Sequence, residues 1–378
     1  MKKNYLLTPG PTPLPPEVLE AMSRPIIHHR TPAFQMILKE ATEGLKYVYQ
    51  TKNDVFIISS SGTGAMEAAL VNLLSAGDTV LAVHGGKFGE RWSEIAEAYA
   101  VTSEVLNVEW GKAVNPQDIA DRLKANPKIK AVFTTLCETS TGVANDIEAI
   151  GKVVKNTPAV LVVDAISALG AIDIKTDEWN CDIVVSGSQK GLMLPPGLGF
   201  LSVSAKAWKL IETSKLPRFY LDLRKARKAL DKTDTPFTSA ITLIIALNEA
   251  LKLIKADGLE NIFARHRKMA DATRAAIKGL GLELFAPSAA SDAVTAAKLP
   301  EGIDGEKLVK TMRDTYGVTI AGGQAELKGK IIRIAHMGYI GEFDIILGLA
   351  CLEKVLQQSG YKFNLGAGVK AAEEIFLK

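Results

Sequence analysis

Cysteine is scarce in this sequence, and its few copies exclude two kinds of architecture. The chain has 378 residues and only 3 cysteines, Cys137, Cys181 and Cys351, which are far apart. An odd number at such spacings forms neither a disulfide framework nor a zinc-binding pattern. We therefore expect reduced thiols in a packed core, no metal site and a cytoplasmic location.

Long hydrophobic runs and an excess of one charge are also missing. The longest apolar stretches, such as "AVLVV" and "DIVVS", are far shorter than the roughly 20 residues that cross a bilayer. The N-terminal "MKKNYLLTPGPTPLPPEV" has no apolar segment before its prolines and predicts no signal peptide. A formal net charge of +3 predicts no nucleic-acid groove. With 47% hydrophobic residues, the composition is that of an ordinary globular protein.

Apolar strands alternate with amphipathic helices from residue 54 onward. The strand-like segments are "DVFIISSSG", "DTVLAVHGG", "IKAVFTTLCETSTG", "AVLVVDAIS", "CDIVVSGSQK" and "GLGFLSVS". The alternation predicts an α/β fold, with a mostly parallel sheet that has helices on both faces. Because the runs are continuously apolar, these strands should be buried on both sides.

The chain should divide into three regions. Residues 1–16 are proline-rich and should run extended, residues 17–259 should form a large domain, and residues 260–378 a smaller α+β domain. A helix, "PEVLEAMSR", should begin near Pro15 and Pro16. A long helix, "TSAITLIIALNEALKLIKADG", should end at Gly258.

Small polar residues collect at the expected carboxyl ends of the strands, where open α/β sheets bind ligands. Ser61, Gly62 and Thr63 join a strand to a helix N-terminus, where free N–H groups and the helix dipole suit a phosphate. A tight turn with a capped helix explains the same residues equally well. The segment lacks the Gly-Lys-Ser/Thr of a Walker loop.

Two charged residues at strand ends need a chemical explanation. Asp164 closes the run "AVLVVD", where an isolated carboxylate would cost several kcal/mol. Lys190 lies in the glycine and serine loop "SGSQKG"; a lysine can form a Schiff base with an aldehyde. Alone, it reads as a solvated surface lysine. A phosphate cradle, a buried acid and a loop lysine are together the three anchors that pyridoxal phosphate needs.

Several segments together resemble one known family. "LLTPGPT", "SSSGTGAMEAALVNLL", "ETSTG", "VVDAIS", "SGSQKGLMLPPG" and "IIRIAHMG" are similar to the class V pyridoxal-phosphate aminotransferases, in the branch of alanine–glyoxylate, serine–glyoxylate and serine–pyruvate enzymes. The resemblance implies the fold type I architecture, a seven-stranded sheet between helices with a smaller C-terminal domain. It also implies a homodimer with shared active sites, in which residues 17–259 bind the cofactor.

The resemblance implies a role for each matching residue. Lys190 would carry the Schiff base and shuttle the proton, and Asp164 would hold the ring nitrogen. Phe88 would stack on the face of the cofactor ring, Thr139 would bond its 3′-oxygen or lie beside it, and Arg333 would bind the substrate carboxylate. The cofactor phosphate would be contacted by Ser61, Gly62, Thr63, Gln189 and the partner's copy of Thr235.

The implied activity is ping-pong transfer of an amino group from alanine or serine to glyoxylate or pyruvate. Other fold type I reactions, such as 2-aminoethylphosphonate transamination, and a non-catalytic subunit remain alternatives. A desulfurase is disfavoured because no cysteine lies in a predicted mobile loop.

Some segments are left without a defined role. The loop "GGQAELKGK" departs from the glycine- and proline-rich form common in relatives. His28, His29 and Arg30 are either substrate-selecting or surface residues. His336 reads as a packed or partly exposed residue rather than a base, and the tail after Gly360 reads as an extra strand or turn and a short helix.

Overall fold

A computed structural model describes residues 3–378 of the chain. Its strands are β1 (Tyr5–Leu6), β2 (Asp54–Ile58), β3 (Thr79–His84), β4 (Thr102–Asn107), β5 (Ile129–Thr135), β6 (Cys137–Glu138), β7 (Val143–Ala144), β8 (Val160–Asp164), β9 (Ile183–Gly187), β10 (Gly199–Val203), β11 (Val294–Lys298), β12 (Val318–Thr319), β13 (Ala321–Gly322) and β14 (Ile331–Ala335).

The same chain forms helices on both sides of these strands. They are α1 (Pro16–Ser23), α2 (Pro32–Tyr49), α3 (Gly62–Leu73), α4 (Lys87–Ala98), α5 (Pro116–Ala125), α6 (Ile147–Val154), α7 (Ala205–Thr213), α8 (Leu223–Leu230), α9 (Ile241–Asp257), α10 (Leu259–Gly279), α11 (Gly305–Tyr316), α12 (Glu342–Gln358) and α13 (Ala367–Phe376). No helix in residues 3–378 is long and apolar enough to span a membrane.

The central sheet has seven strands in the order β2-β10-β9-β8-β5-β3-β4. The pairs β3–β4, β3–β5, β5–β8 and β8–β9 are parallel, and β10 is antiparallel to both its neighbours. The predicted mostly parallel α/β fold is confirmed. The sequence pattern did not identify β4, because this edge strand, "TSEVLN", is polar and partly exposed.

The central strands other than the edge strand β4 contribute side chains to two hydrophobic cores, one on either face of the sheet. In β8, Val160 and Val162 belong to one core, while Leu161 and Val163 belong to the other. This follows from the two-residue period of a strand. All five residues of β8 are buried, which explains why the four residues before Asp164 are apolar.

A smaller antiparallel sheet, β11-β14-β13, lies in the C-terminal part. Its own core includes Met269, Ile277 and Leu352 from α10 and α12, and also Leu7 from the N-terminal segment. Leu7 follows β1, which pairs in parallel with β12. Residues 5–7 are therefore extended and pack on the C-terminal part, while the extended segment expected over residues 1–16 stays a prediction.

Several expected helix boundaries are confirmed. Helix α1 begins at Pro16, and α9 ends before Gly258, which has a φ of 85°. After Gly360 the chain forms a turn and the short helix α13, without the extra strand that was the alternative. Cys137, Cys181 and Cys351 are free and buried, in agreement with the expected core thiols.

Candidate active site

Asp164 and Lys190 lie at one edge of the central sheet. Asp164 is the last residue of β8, and Lys190 follows the end of β9. These two strands are parallel neighbours, so their carboxyl ends point the same way. The fold therefore brings both residues to the edge at which open α/β sheets bind ligands.

Burial changes the protonation of both groups. Asp164 is 4% exposed, and its burial raises the pKa of the carboxyl to about 7, although the N–H of Ile166 donates to Oδ1 at 2.8 Å. Burial also lowers the pKa of the Lys190 amine to about 8, an effect that the negative charge of Asp164 opposes. In each case the charged form loses its water. Two groups that titrate near neutral pH suit proton transfer.

The N-terminal segment closes over Lys190. Its Nζ donates a hydrogen bond to the carbonyl oxygen of Pro9, and its own carbonyl accepts one from Oγ1 of Thr12 at 3.0 Å. A methyl group on Gly10 would stand 2.4 Å from Cδ and Cε of Lys190. Pro9, Gly10 and Thr12 carry no local sequence signal for this contact, although "LLTPGPT" is one of the segments that resemble the family.

The N-terminus of α3 lies beside the segment that follows Asp164. Ser61 is its N-cap, and a methyl group on Gly62 would stand 2.6 Å from Cδ1 of Ile166. Thr63 is exposed, and its Oγ1 accepts a hydrogen bond from Nη1 of Arg91 at 3.3 Å. The first N–H groups of a helix have no partner within the helix. This turn therefore has the donors that a phosphate group needs.

Gln189 completes this end of the site. A methyl group on Gly187 would lie 3.2 Å from both Oε1 of Gln189 and the backbone nitrogen of Gly62. The Gln189 amide is therefore close to the first turn of α3. Its Oε1 is buried without a hydrogen-bond partner among residues 3–378. Buried polar atoms are almost always paired, so this orphan fits a bound polar group, and the amide can turn its N–H₂ toward an anion.

Phe88 lies in the first turn of α4 and is half-buried. The Arg91 guanidinium stands 4.9 Å from its ring centroid, as residues three apart on a helix allow. The charge of Arg91 also lowers the pKa of both Asp164 and Lys190. Arg91 therefore lies near both Asp164 and Lys190, although the sequence did not single it out.

Arg333 and Thr139 are joined to each other by a hydrogen bond. Arg333 is 5% exposed; its Nη1 donates to the carbonyl of Thr139 at 2.7 Å and its Nε to that of Gly322 at 2.9 Å. Burial lowers the pKa of its guanidinium to about 10, so it stays charged at neutral pH. The hydroxyls of Thr139 and Ser167 are 2.6 Å apart. The small sheet, the "ETSTG" turn and the segment after Asp164 thus meet here.

Thr235 is not joined to these residues. Its Oγ1 donates to the carbonyl of Phe237 at 2.8 Å, and its own carbonyl accepts from Nη1 of Arg30 at 2.8 Å. Arg30 also forms an ion pair with Asp234. Within residues 3–378 no hydrogen bond connects Thr235 to the other predicted site residues, so its role in a partner's site stays a prediction.

His336 is packed in the interior, as expected. It is fully buried, with Nδ1 2.8 Å from the carbonyl of Asp292 and Nε2 2.9 Å from Oγ1 of Thr295. Because a carbonyl only accepts, Nδ1 carries the proton and Nε2 accepts from the threonine. Burial lowers the pKa of this histidine to about 3.

Taken together, the side chains fit the three anchors of pyridoxal phosphate. The first turn of α3 and Gln189 suit its phosphate, the Lys190 amine suits its aldehyde, and the buried Asp164 carboxyl suits its ring nitrogen. The orphaned Oε1 of Gln189 is the observation that tests this fit, because it marks a polar position that the described residues leave unpaired.

Comparison with known proteins agrees with this geometry. Residues 4–336 match the family described as Aminotransferase class-V. A protein of Synechococcus sp. named "Soluble hydrogenase, small subunit" is 48% identical, with 99% of this chain and 98% of that protein covered. Two aminotransferases are 39% and 38% identical: the L-aspartate–glyoxylate enzyme of Paracoccus denitrificans, with 98% and 96% covered, and the serine–glyoxylate enzyme of Methylorubrum extorquens, with 98% and 95% covered.

A solved structure matches the whole fold. The ureidoglycine–glyoxylate aminotransferase of Bacillus subtilis superposes with a TM-score of 0.95 at 33% identity, with 100% of this chain and 99% of that chain covered. The resemblance inferred from the sequence is confirmed by these matches, and the chain belongs to the class V aminotransferase family.

Proposed function

We propose that this aminotransferase binds pyridoxal phosphate and moves the amino group of a small amino acid to glyoxylate or pyruvate by a ping-pong mechanism. The observation that carries the proposal is that a buried acid, Asp164, and a lysine whose pKa is lowered to about 8, Lys190, lie at the carboxyl ends of two neighbouring parallel strands. An amine with that pKa is partly neutral near physiological pH, and only the neutral form is a nucleophile.

When bound, pyridoxal phosphate supplies an aldehyde that captures amines and a ring that accepts electrons. Lys190 is the residue proposed to attach to the aldehyde and, once displaced, to take the α-proton of the substrate. Asp164 would hold a proton at the ring nitrogen, where a cationic partner restores its charged form. Phe88 would cover the ring, and Thr139 would lie beside its 3′-oxygen.

Ser61, Gly62, Thr63 and Gln189 are the proposed phosphate contacts. The α3 N-terminus offers backbone donors and the positive end of a dipole. Arg333 would bind the substrate carboxylate, because a planar guanidinium matches that group bidentately. Two of its N–H groups already donate to carbonyls, which fixes the orientation of the guanidinium plane.

The relatives support glyoxylate as the acceptor. The aspartate–glyoxylate, serine–glyoxylate and ureidoglycine–glyoxylate enzymes share that acceptor in their names and differ in the donor. A matrix of alanine, serine, aspartate and 2-aminoethylphosphonate against glyoxylate and pyruvate tests the choice. We expect glyoxylate with alanine or serine to turn over fastest, and a clear preference for the phosphonate would overturn this assignment.

A non-catalytic role is a second candidate, because the Synechococcus relative is named as a hydrogenase subunit. Residues 3–378 contain no group of three or more His, Cys, Asp or Glu side chains placed to hold a metal ion, and the residues proposed for transamination lie together. Purified protein that bleaches its yellow colour on addition of an amino donor would favour the enzyme.

We also propose a cytoplasmic homodimer with shared sites, in which residues 17–259 and 260–378 act as large and small domains. Exposed aromatic residues near Thr235 support the dimer: Phe219 is 70% exposed and Tyr220 46% exposed, and both rings contact Phe237. Aromatic side chains of this kind are enriched at protein interfaces.

The direct test of the proposed chemistry is Lys190→Ala. We expect turnover to be lost and no cofactor to become covalently attached after borohydride reduction, measured by the mass of the intact chain. Lys190→Arg, which keeps the charge but cannot form the link, should behave alike. Wild-type turnover in either variant would refute the function of Lys190.

A further inference from the structure

Glu138 has a buried carboxylate that accepts a hydrogen bond from the backbone of Phe88, and its chain neighbour Thr139 accepts one from Arg333. Glu138 is the first residue of "ETSTG" and is 1% exposed. It ends β6, which pairs with β7 so that Glu138 lies opposite Val143. The turn between these two strands is tight, because the Glu138 carbonyl accepts hydrogen bonds from the N–H groups of Thr141 and Gly142 at 3.1 and 2.9 Å.

The side chain of Glu138 caps helix α4 from outside that helix. Its Oε2 accepts from the backbone N–H groups of Phe88 at 3.1 Å and Gly89 at 2.9 Å, and Ser140 Oγ accepts from that of Lys87 at 3.1 Å. Helix N-terminal N–H groups have no partner within the helix, and a negative charge there is favourable. Phe88 is thus held through its own backbone.

The approach of the two segments leaves no room for a larger residue at Gly86. A methyl group on Gly86 would stand 2.4 Å from Oγ of Ser140 and 2.6 Å from the carboxyl carbon of Glu138. Both side chains lie in a fully buried turn. The start of α4 is therefore seated directly on the "ETSTG" turn.

The same turn reaches Arg333 on its other side. Thr139, next to Glu138, accepts the hydrogen bond from Nη1 of Arg333. A methyl group on Gly142 would contact Ala296 of β11 at 3.0 Å, and Ala296 lies opposite Arg333 in the small sheet. The negative charge of Glu138 also supports the charged form of Arg333, whose pKa burial lowers.

We infer that Glu138 is a positioning residue that fixes the Phe88 ring and the Arg333 guanidinium in one arrangement. It acts through the backbone of Phe88 on one side and through the Thr139 carbonyl on the other. The inference rests on the proposed function, in which Phe88 covers the cofactor and Arg333 binds the substrate carboxylate.

The substitution Glu138→Gln keeps the shape of the side chain but replaces one acceptor oxygen with a donor. The carboxylate accepts from four donors, the N–H groups of Phe88, Gly89 and Ser140 and the Ser140 hydroxyl. An amide cannot accept from all of them. Both ends of the turn should therefore shift, whereas loss of Phe88 or Arg333 alone affects one end.

A matched control exists elsewhere in the chain. Glu353 is also a buried glutamate, 2% exposed, and it caps the start of α13 by accepting from the N–H groups of Gly366, Gly368 and Val369 at 2.6, 2.8 and 3.0 Å. None of these residues touches the site. Glu353→Gln removes the same chemistry from a helix that carries no proposed site residue.

The experiment measures equilibrium binding of pyridoxal phosphate to the apoenzyme and steady-state kinetics of the holoenzyme. For Glu138→Gln we expect the cofactor Kd and the KM of the amino donor to rise together by about tenfold, the effect of about one lost hydrogen bond. Glu353→Gln should lower the midpoint of thermal unfolding and leave Kd and KM within about twofold of wild type.

Two further variants keep the test decisive. If Glu138→Gln does not fold, Ser140→Ala removes one donor from Glu138 and should raise both constants by a smaller factor. If Glu138 acts through Phe88, its substitution in a Phe88→Leu background should change the cofactor Kd less than in wild type. Equal effects in the two backgrounds would refute action through Phe88.

The outcomes also separate this inference from the proposed function. A wild-type enzyme that transaminates normally, together with Glu138→Gln behaving like Glu353→Gln, would overturn only the positioning role. A wild-type protein that neither binds pyridoxal phosphate nor transaminates would instead overturn the proposed function.

Discussion

Asp164 and Lys190 have pKa values that differ from those of the same side chains on a protein surface, because the fold buries both residues. Asp164 ends a strand whose residues are all buried, so its carboxyl has lost most of its hydration and its pKa rises to about 7. Lys190 has undergone the opposite shift for the same reason. The sequence identified both residues because a lone acid in an apolar run and a lysine in a glycine loop are unusual.

Replacement of Asp164 by Asn should slow proton removal from the amino donor. The amide keeps the size of the side chain, but it cannot carry the negative charge that would hold a proton at the ring nitrogen. We expect kcat to fall by at least about 100-fold while the link to Lys190 still forms. The measurement is single-turnover kinetics with an α-deuterated donor, whose isotope effect should increase. An unchanged kcat would contradict the role of Asp164.

His336 should make the folded protein sensitive to acid. Its folded pKa of about 3 lies below the ordinary value of 6.5, so between these values the unfolded chain binds a proton that the folded chain does not. Its contribution to stability is therefore complete above pH 6.5 and is lost as the pH falls, at about 1.4 kcal/mol per pH unit.

Chemical unfolding between pH 7.5 and 4.5 checks this behaviour. The free energy of unfolding of wild type should fall more steeply with decreasing pH than that of His336→Gln, by about the slope of one buried histidine. Parallel curves for the two proteins would show that His336 does not cause the acid sensitivity.

The strands and helices determine where these residues lie. The sequence predicted a strand or helix well where a single feature, such as a continuous apolar run or a terminal proline or glycine, marked it. Continuous apolar runs identified six of the seven central strands, since burial on both faces requires them. The edge strand β4 lacked that signal. In the same way, the helices α1 and α9 were recognisable from proline and glycine at their ends.

The candidate site was only partly predictable, because contacts between distant segments leave no local pattern. Lys190, Asp164 and the α3 turn carried their own signals. Pro9, Arg91 and Glu138 did not, since each matters through a partner far away in sequence. The division at residues 259 and 260 stays a prediction, although α9 and α10 do meet at Gly258.

Gly10, in the N-terminal segment, limits the space beside the Lys190 side chain. It has a φ of +115°, and a methyl group there would collide with Lys190. We expect Gly10→Ala to slow covalent attachment of the cofactor to Lys190 and to abolish most turnover. Gly360→Ala is the matched control, because Gly360 has a φ of +85° with nothing within 4 Å.

Stopped-flow absorbance of apoenzyme mixed with pyridoxal phosphate measures the attachment. Gly360→Ala should lose about 1 kcal/mol or more of stability through its backbone alone, with normal attachment. If Gly10→Ala also attached the cofactor at the wild-type rate, the segment would have no influence on the lysine.

For the whole molecule, the central question is whether two chains complete one site. Within residues 3–378 no hydrogen bond joins Thr235 to the other predicted site residues of its own chain. The exposed rings of Phe219 and Tyr220 nevertheless lie near it. We predict that Thr235 serves the partner's phosphate site.

Mixed dimers test this arrangement. Lys190→Ala and Thr235→Asp homodimers should both be inactive, the second because a negative charge repels a phosphate. A hybrid of the two should regain about half the wild-type activity, since one of its sites then has both wild-type residues. Light scattering should give twice the mass of the 40.6 kDa chain. A hybrid without activity would place Thr235 in the site of its own chain.

The pairing of Tyr5–Leu6 with Val318–Thr319 also has a consequence for biosynthesis. A ribosome delivers the N-terminus first, so the strand that holds Pro9 against Lys190 must wait unpaired until residue 319 has emerged. A chain released before that point would leave the lysine uncovered, whatever part of the central sheet had already folded. The order of translation thus delays assembly of the proposed active site until residues 318 and 319 have been made.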